Sequence, residues 1–143
     1  PNPSKSPSPN DAPNNKPSPA AGSTADFDKF VAKNKGIYGN IDSNGYVQYK
    51  INTAGSGVRG TDLFNEMIQH FGCYVKGIWG KWNSGSNLTT VNDLTRGGMS
   101  LEEAVKKTWA ANRARDAGFG TATIKKQVGS SGAYTDIEVL FTP

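Results

Sequence analysis

Ile37-Tyr38-Gly39-Asn40-Ile41-Asp42-Ser43-Asn44-Gly45-Tyr46-Val47-Gln48-Tyr49-Lys50-Ile51 is the stretch on which the fold turns. Ile37, Gly39 and Ile41 alternate before Ser43-Asn44-Gly45, and Val47, Tyr49 and Ile51 alternate after it. A loop at 43–45 places Ile41 opposite Val47 and Ile37 opposite Ile51, so that the apolar groups share one face. Gly45 is then free to take the left-handed conformation. A two-residue loop would put the two apolar sets on opposite faces and is rejected. A second hairpin is predicted at the far end, around Gly129-Ser130-Ser131-Gly132. A four-residue loop there pairs Ile124 with Ile137 and Ala122 with Val139 inside, and Lys125 with Asp136 and Gln127 with Tyr134 outside.

Helical signals lie between the hairpins. Thr61 is placed to cap a helix bearing Phe64, Met67, Ile68 and Phe71, which Gly72 stops. Tyr74 to Trp82 is apolar and ambiguous between strand and helix, and 83–87 reads as a loop. Ser100 with Glu103 makes a capping box that opens the longest helix. Leu101, Ala104, Val105, Thr108 and Ala111 form its buried stripe, and Gly118 or Gly120 ends it. Phe27 and Phe30 suggest a short helix over 26–33 at the start. The sum is an α+β fold: an antiparallel sheet from an N-terminal and a C-terminal hairpin, packed on two or three central helices.

Seven of the 8 prolines fall between Pro1 and Pro19, among Ser, Asn, Lys and Ala. Such a segment has no apolar side chains to offset the entropy of ordering it. Residues 1–24 are therefore expected to be a disordered Pro/Ser/Asn-rich linker, and 25–143 one compact domain. The chain starts at Pro1 without a charged, then apolar, leader, so no signal peptide is expected and the piece is read as part of a longer protein. The formal net charge of +4 permits a phosphate-bearing partner without demanding one. Cys73, the single cysteine, excludes an intrachain disulfide and multi-cysteine zinc, and is expected to be buried. His70 and Cys73 alone do not make a metal site, so none is expected. No apolar run reaches membrane-spanning length.

Several side chains are candidates for chemistry. His70, the only imidazole, follows Glu66 by one helical turn, and such a pair serves general acid–base catalysis. In RNA cleavage without a metal, the imidazole would move a proton at the 2′-hydroxyl or the leaving oxygen. Arg59, Lys50 and Arg113 are the cations that would stabilise charge on phosphorus. Arg59 lies in Gly57-Val58-Arg59-Gly60 before a helix start, where flanking glycines let a guanidinium approach an anion. Tyr134 and Glu138 are expected to project from the non-core face of the last strand. Trp79, Trp82 and Trp109 offer a stacking surface, with Trp82 taken as exposed and the other two as core. Each has a plainer reading: a boundary histidine, a solvated arginine, a cross-strand pair between Lys125 and Asp136, and packed tryptophans.

A pattern runs from Gly60 to Phe141 through Leu63-Phe64, His70-Phe71-Gly72, Gly80, Trp82, Asn87-Leu88, Gly98-Met99-Ser100, Thr108-Trp109, Gly118-Phe119 and Tyr134-Thr135. It resembles a class of C-terminal toxin domains on bacterial polymorphic toxins, of the Rhs/YD-repeat type and other large secreted carriers. That resemblance implies a secreted cytotoxic payload acting in the cytoplasm of a target cell, and a cognate immunity protein. Separately, Val58-Arg59-Gly60 and Glu138 look like the first and last elements of the ADP-ribosyltransferase pattern. The middle Ser-Thr-Ser is missing, and Asp136 stands where Glu or Gln is common. The expected activity is a metal-independent ribonuclease without cofactor, with RNA or a nucleotide as substrate and the chain acting as a monomer. His70, Arg59, Glu138 and Tyr134 are the catalytic candidates, and Lys50, Trp82 and Arg113 the substrate-binding ones. The alternatives are an ADP-ribosyltransferase that uses NAD through Arg59 and Glu138, and a non-enzymatic binding module on a secreted protein.

Overall fold

The computed structural model describes residues 29–32, 36–53 and 57–143. The Pro-rich segment and Phe27 lie outside them. Within them, six strands form one mixed sheet: β1 (Lys29–Ala32), β2 (Ile37–Ile41), β3 (Tyr46–Ile51), β4 (Gly77–Trp82), β5 (Thr121–Val128) and β6 (Asp136–Thr142). Their order is β1-β2-β3-β4-β6-β5. The helices are α1 (Gly60–Phe71), α2 (Ser86–Arg96), α3 (Leu101–Lys106) and α4 (Trp109–Asp116), and a 3-10 turn over Gly72–Tyr74 follows α1. The class is α+β. Among the described residues no helix is long and apolar enough to cross a membrane.

The first hairpin has the register its apolar pattern dictates, with Ile37 opposite Ile51 and Ile41 opposite Val47. Its turn is built locally. Asp42 Oδ1 accepts from the amides of Asn44 (2.8 Å) and Tyr46 (2.9 Å), and Gly45 sits at φ 84°. α1 then carries the chain across, so that β4 joins β3 in parallel. The parallel pair makes the sheet mixed rather than antiparallel throughout. Phe64, Met67 and Phe71 of α1 are buried against Ile37, Val47 and Ile78. A Cβ on Gly39 would collide with Met67 Sδ, so the glycine lets the helix sit close to β2.

Four expectations are corrected. The stretch read as an N-terminal helix contains β1, where Phe30 pairs with Gly39 and period-two alternation sends Lys29 and Val31 to the other face. The long helix is two, because Thr108 interrupts it: its hydroxyl donates to Val105 O (2.7 Å) and accepts from Ala111 N (3.1 Å), capping α4. The stripe expected for one helix is nevertheless buried across both. α2 begins inside the expected loop, with Leu88, Val91 and Thr95 buried on one side. In the last hairpin Ile124 pairs with Val139 and Ala122 with Phe141, with a bulge between Ile124 and Lys126. The slip is two residues up to the bulge, which keeps Ala122 and Ile124 inward. Beyond the bulge it is three, so that Lys126 lies opposite Glu138 and Gln127 opposite Ile137 instead of the expected pairs Lys125 with Asp136 and Gln127 with Tyr134.

The slip has a cause elsewhere in the chain. Asn92 of α2 accepts from Tyr134 N (2.7 Å) and donates to Tyr134 O (2.9 Å). Thr95 Oγ1 accepts from Gly132 N (2.9 Å), and Arg96 donates to Gly132 O (2.7 Å). The loop is thus docked on a helix, and β6 starts only at Asp136. The core fills one face of the sheet, with Ile37, Val47, Ile78, Ile137, Val139 and Phe141 turned toward the helices.

Candidate functional site

β3 and β4 pair only at Tyr46–Gly77 and Val47–Ile78; beyond those two rungs the strands part. A cleft of about 830 Å³ opens between them. One wall carries Tyr38, Tyr49, Lys50 and Asn52; the other carries Trp79, Lys81, Trp82 and the loop from Asn83 to Gly85. Gly60 of α1 and Trp109 and Ala110 of α4 close the end. The crevice beyond the carboxyl ends of neighbouring parallel strands is a general place for ligands in α/β sheets. Here the helix starts are tied together beside it, for Asn87 Oδ1 accepts from Ala110 N (3.1 Å).

The aromatic side chains are held firmly. Trp79 Nε1 donates to Glu138 Oε1 (3.0 Å), and its ring lies 6.0 Å from that of Tyr46. Trp109 meets Phe64 edge-on at 6.1 Å, and Phe64 meets Tyr49 edge-on at 5.3 Å. The guanidinium of Arg113 stands 5.8 Å from the centre of the Trp109 ring, donates to Thr61 Oγ1 (3.2 Å) and pairs with Asp116 (3.1 Å).

Two buried polar atoms in this region have no protein partner: Tyr49 Oη and Arg113 Nε. Buried polar atoms are rarely left so, and a bound group or ordered water commonly explains the exception. Burial raises the Tyr49 pKa above its ordinary value, and the Arg113 guanidinium opposes that rise. The hydroxyl is therefore neutral and can both donate and accept a hydrogen bond.

The candidate residues fall in different places. Lys50 and Trp82 line the cleft. Arg113 lies behind it, beside Trp109, and Glu138 touches it through Trp79. Arg59 stands just before the cleft residue Gly60, with its side chain 79% exposed and 4.0 Å from Asp62. His70 is exposed at the other end of α1, about 15 Å from Gly60 by helix rise. It contacts the ring of Phe30 at 5.3 Å. Tyr134 is buried ahead of β6, on the loop docked to α2, rather than projecting outward from a strand. No carboxylate or imidazole lines the cleft among the described residues.

The tryptophans reverse their expected roles. Trp82 is 7% exposed because it alternates to the core face of β4, whereas Trp109, at the first turn of α4, is 36% exposed. Trp79 is half-buried on the opposite face. Cys73, expected to be buried, is exposed in the 3-10 turn after α1. No group of three His, Cys, Asp or Glu among the described residues is placed to hold a metal ion. Tyr49 and Lys81 line the cleft without having been candidates, and Trp79 and Trp109, taken as core from the sequence, line it as well. Tyr49 occupied an inward slot of a hairpin and read as core. Comparison with protein-family models, with curated proteins and with solved structures gives no match for this chain.

Proposed function

We propose that this domain is the payload of a secreted bacterial toxin and that the cleft between β3 and β4 receives a nucleotide-bearing substrate. One observation carries the reading: aromatic rings and lysines converge on a single concavity. Trp79, Trp109 and Tyr49 offer faces and edges to a base, and Lys50 and Lys81 stand at the walls for phosphate. Asn52, Asn83 and Asn87 add amides able to donate and accept at a base edge. The payload role rests on the toxin-domain resemblance, which also entails a cognate immunity protein and action in a target cell's cytoplasm.

The first reaction to test is RNA cleavage without a metal, with Lys50 as the cation at phosphorus. His70 lies outside the cleft, so His70→Ala is decisive for its role: a fully active variant removes it from the mechanism. Transfer of ADP-ribose from NAD is the second reading. The contact of Glu138 with Trp79 at the cleft wall favours it, as does a volume in the range of small-molecule sites.

Tryptophan fluorescence during titration with AMP, UMP and NAD tests the common element. Quenching is expected at millimolar ligand or below, and its absence for all three removes the cleft reading. Tyr49→Phe should weaken binding about ten-fold, by loss of one buried hydrogen bond. Thermal stability should not fall, because the hydroxyl has no partner in the free protein. Growth arrest on cytoplasmic expression, followed by assay of bulk RNA in EDTA and of label transferred from NAD, separates the two reactions.

A further inference from the structure

We infer that the sheet face turned away from the helices is a track that leads single-stranded RNA into the cleft. The inference rests on the nucleotide reading of that cleft and names its substrate. The helices pack on the face of Ile37, Val47 and Ile78. On the opposite face the described side chains are exposed or half-buried, Leu140 excepted. Cross-strand register places Lys29, Tyr38, Tyr46 and Lys50 there from the first three strands. The same alternation adds Trp79, Lys81 and Lys126.

Two features select the occupant. The first is charge: among the described residues of this face Lys29, Lys50, Lys81 and Lys126 outnumber Asp136 and Glu138, and Glu138 stands between Lys81 and Lys126, so a positive surplus is left on the face. A surface of lysines interleaved with aromatic rings is complementary to a phosphate backbone whose bases are free to stack. Tyr38 is 44% exposed, and the rings of Tyr46 and Trp79 stand 6.0 Å apart. Duplex bases are stacked on each other and cannot use such rings, so a single strand is required. The second is polarity: Asn40 and Gln48 pair directly across β2 and β3 on this face. Their amides both donate and accept, which suits a 2′-hydroxyl. Tyr38, Lys50, Trp79 and Lys81 belong to this face and to the cleft lining alike, so the track and the cleft are continuous.

Fluorescence anisotropy with a labelled 12-nucleotide single-stranded RNA tests the track. AMP, the matching DNA strand and duplex RNA serve as comparisons, and a gel checks that the RNA is intact. The RNA should bind at least ten-fold more tightly than AMP, and more tightly than DNA or duplex. The double variant Lys29→Gln/Lys126→Gln alters neither cleft nor core. It should lower the slope of log affinity against log salt by about 1.4, two phosphate contacts at ~0.7 each, and leave AMP binding unchanged. AMP binding with no gain for the oligomer, or an unchanged double variant, overturns the track and spares the cleft. Equal binding of DNA or duplex overturns the assignment to single-stranded RNA. Binding of neither AMP nor RNA overturns both readings.

Discussion

The two hairpins of this sheet close by different means. In the first, Asp42 reaches amides two and four residues ahead and Gly45 takes a positive φ, so the turn closes through its own residues, and the distant amide of Lys76 adds one bond to Gly45 O (2.7 Å). In the second, the residues that hold the loop are on α2, and Asn92 bonds a backbone 42 residues away. A turn that closes on itself can be read from its sequence. A loop held by a distant helix takes its length and register from that helix. The same contrast separates the halves of the cleft: its β3 wall follows from the first hairpin, while its far end depends on where α2 and α4 come to rest.

Three substitutions can break or sharpen this contrast. The largest effect is expected for Asn92→Ala, which leaves both backbone groups of Tyr134 without their partner in a part-buried setting. Urea unfolding should show a loss of about 3 kcal/mol, since each unsatisfied group costs roughly 1–3 kcal/mol. Asp42→Ala should cost about 1 kcal/mol, because water can replace the carboxylate at an amide that is exposed. An Asp42 effect larger than that of Asn92 would reverse the contrast. Arg96→Ala should cost least, about 0.5 kcal/mol. Its bond to Gly132 O and its ion pair with Asp93 both lie at the surface. Thermal melts of the three variants side by side give the order directly. A large Arg96 effect would mean that the loop is held by charge rather than by the amide of Asn92.

Much of the scaffold was legible because local periodicity and tertiary demand agreed. The α1 positions Phe64, Met67 and Phe71 are buried as their spacing predicts, and Ser100 accepts from Glu103 N (3.2 Å) as its capping box requires. The helix break at Thr108 was not legible, since a threonine on a buried stripe looks the same whether it continues a helix or caps the next one. The site was harder. Arg59 drew attention through its flanking glycines, yet its side chain points into solvent. Tyr49 was hidden by its inward position, although its buried hydroxyl is what the cleft leaves unpaired.

The amino-acid pattern alone determined where α1 and the first hairpin lie, which of their apolar residues turn inward, and that helices and sheet share one core. These properties depend on neighbours a few positions away. Only the tertiary structure decided that β3 and β4 run parallel for two rungs and then part, and that Trp82 is covered while Trp109 is open. It also decided that the last hairpin pairs where α2 holds it. Strand divergence, the exposure of one ring over another and long-range docking arise from how whole elements pack, and no short window of sequence contains that geometry.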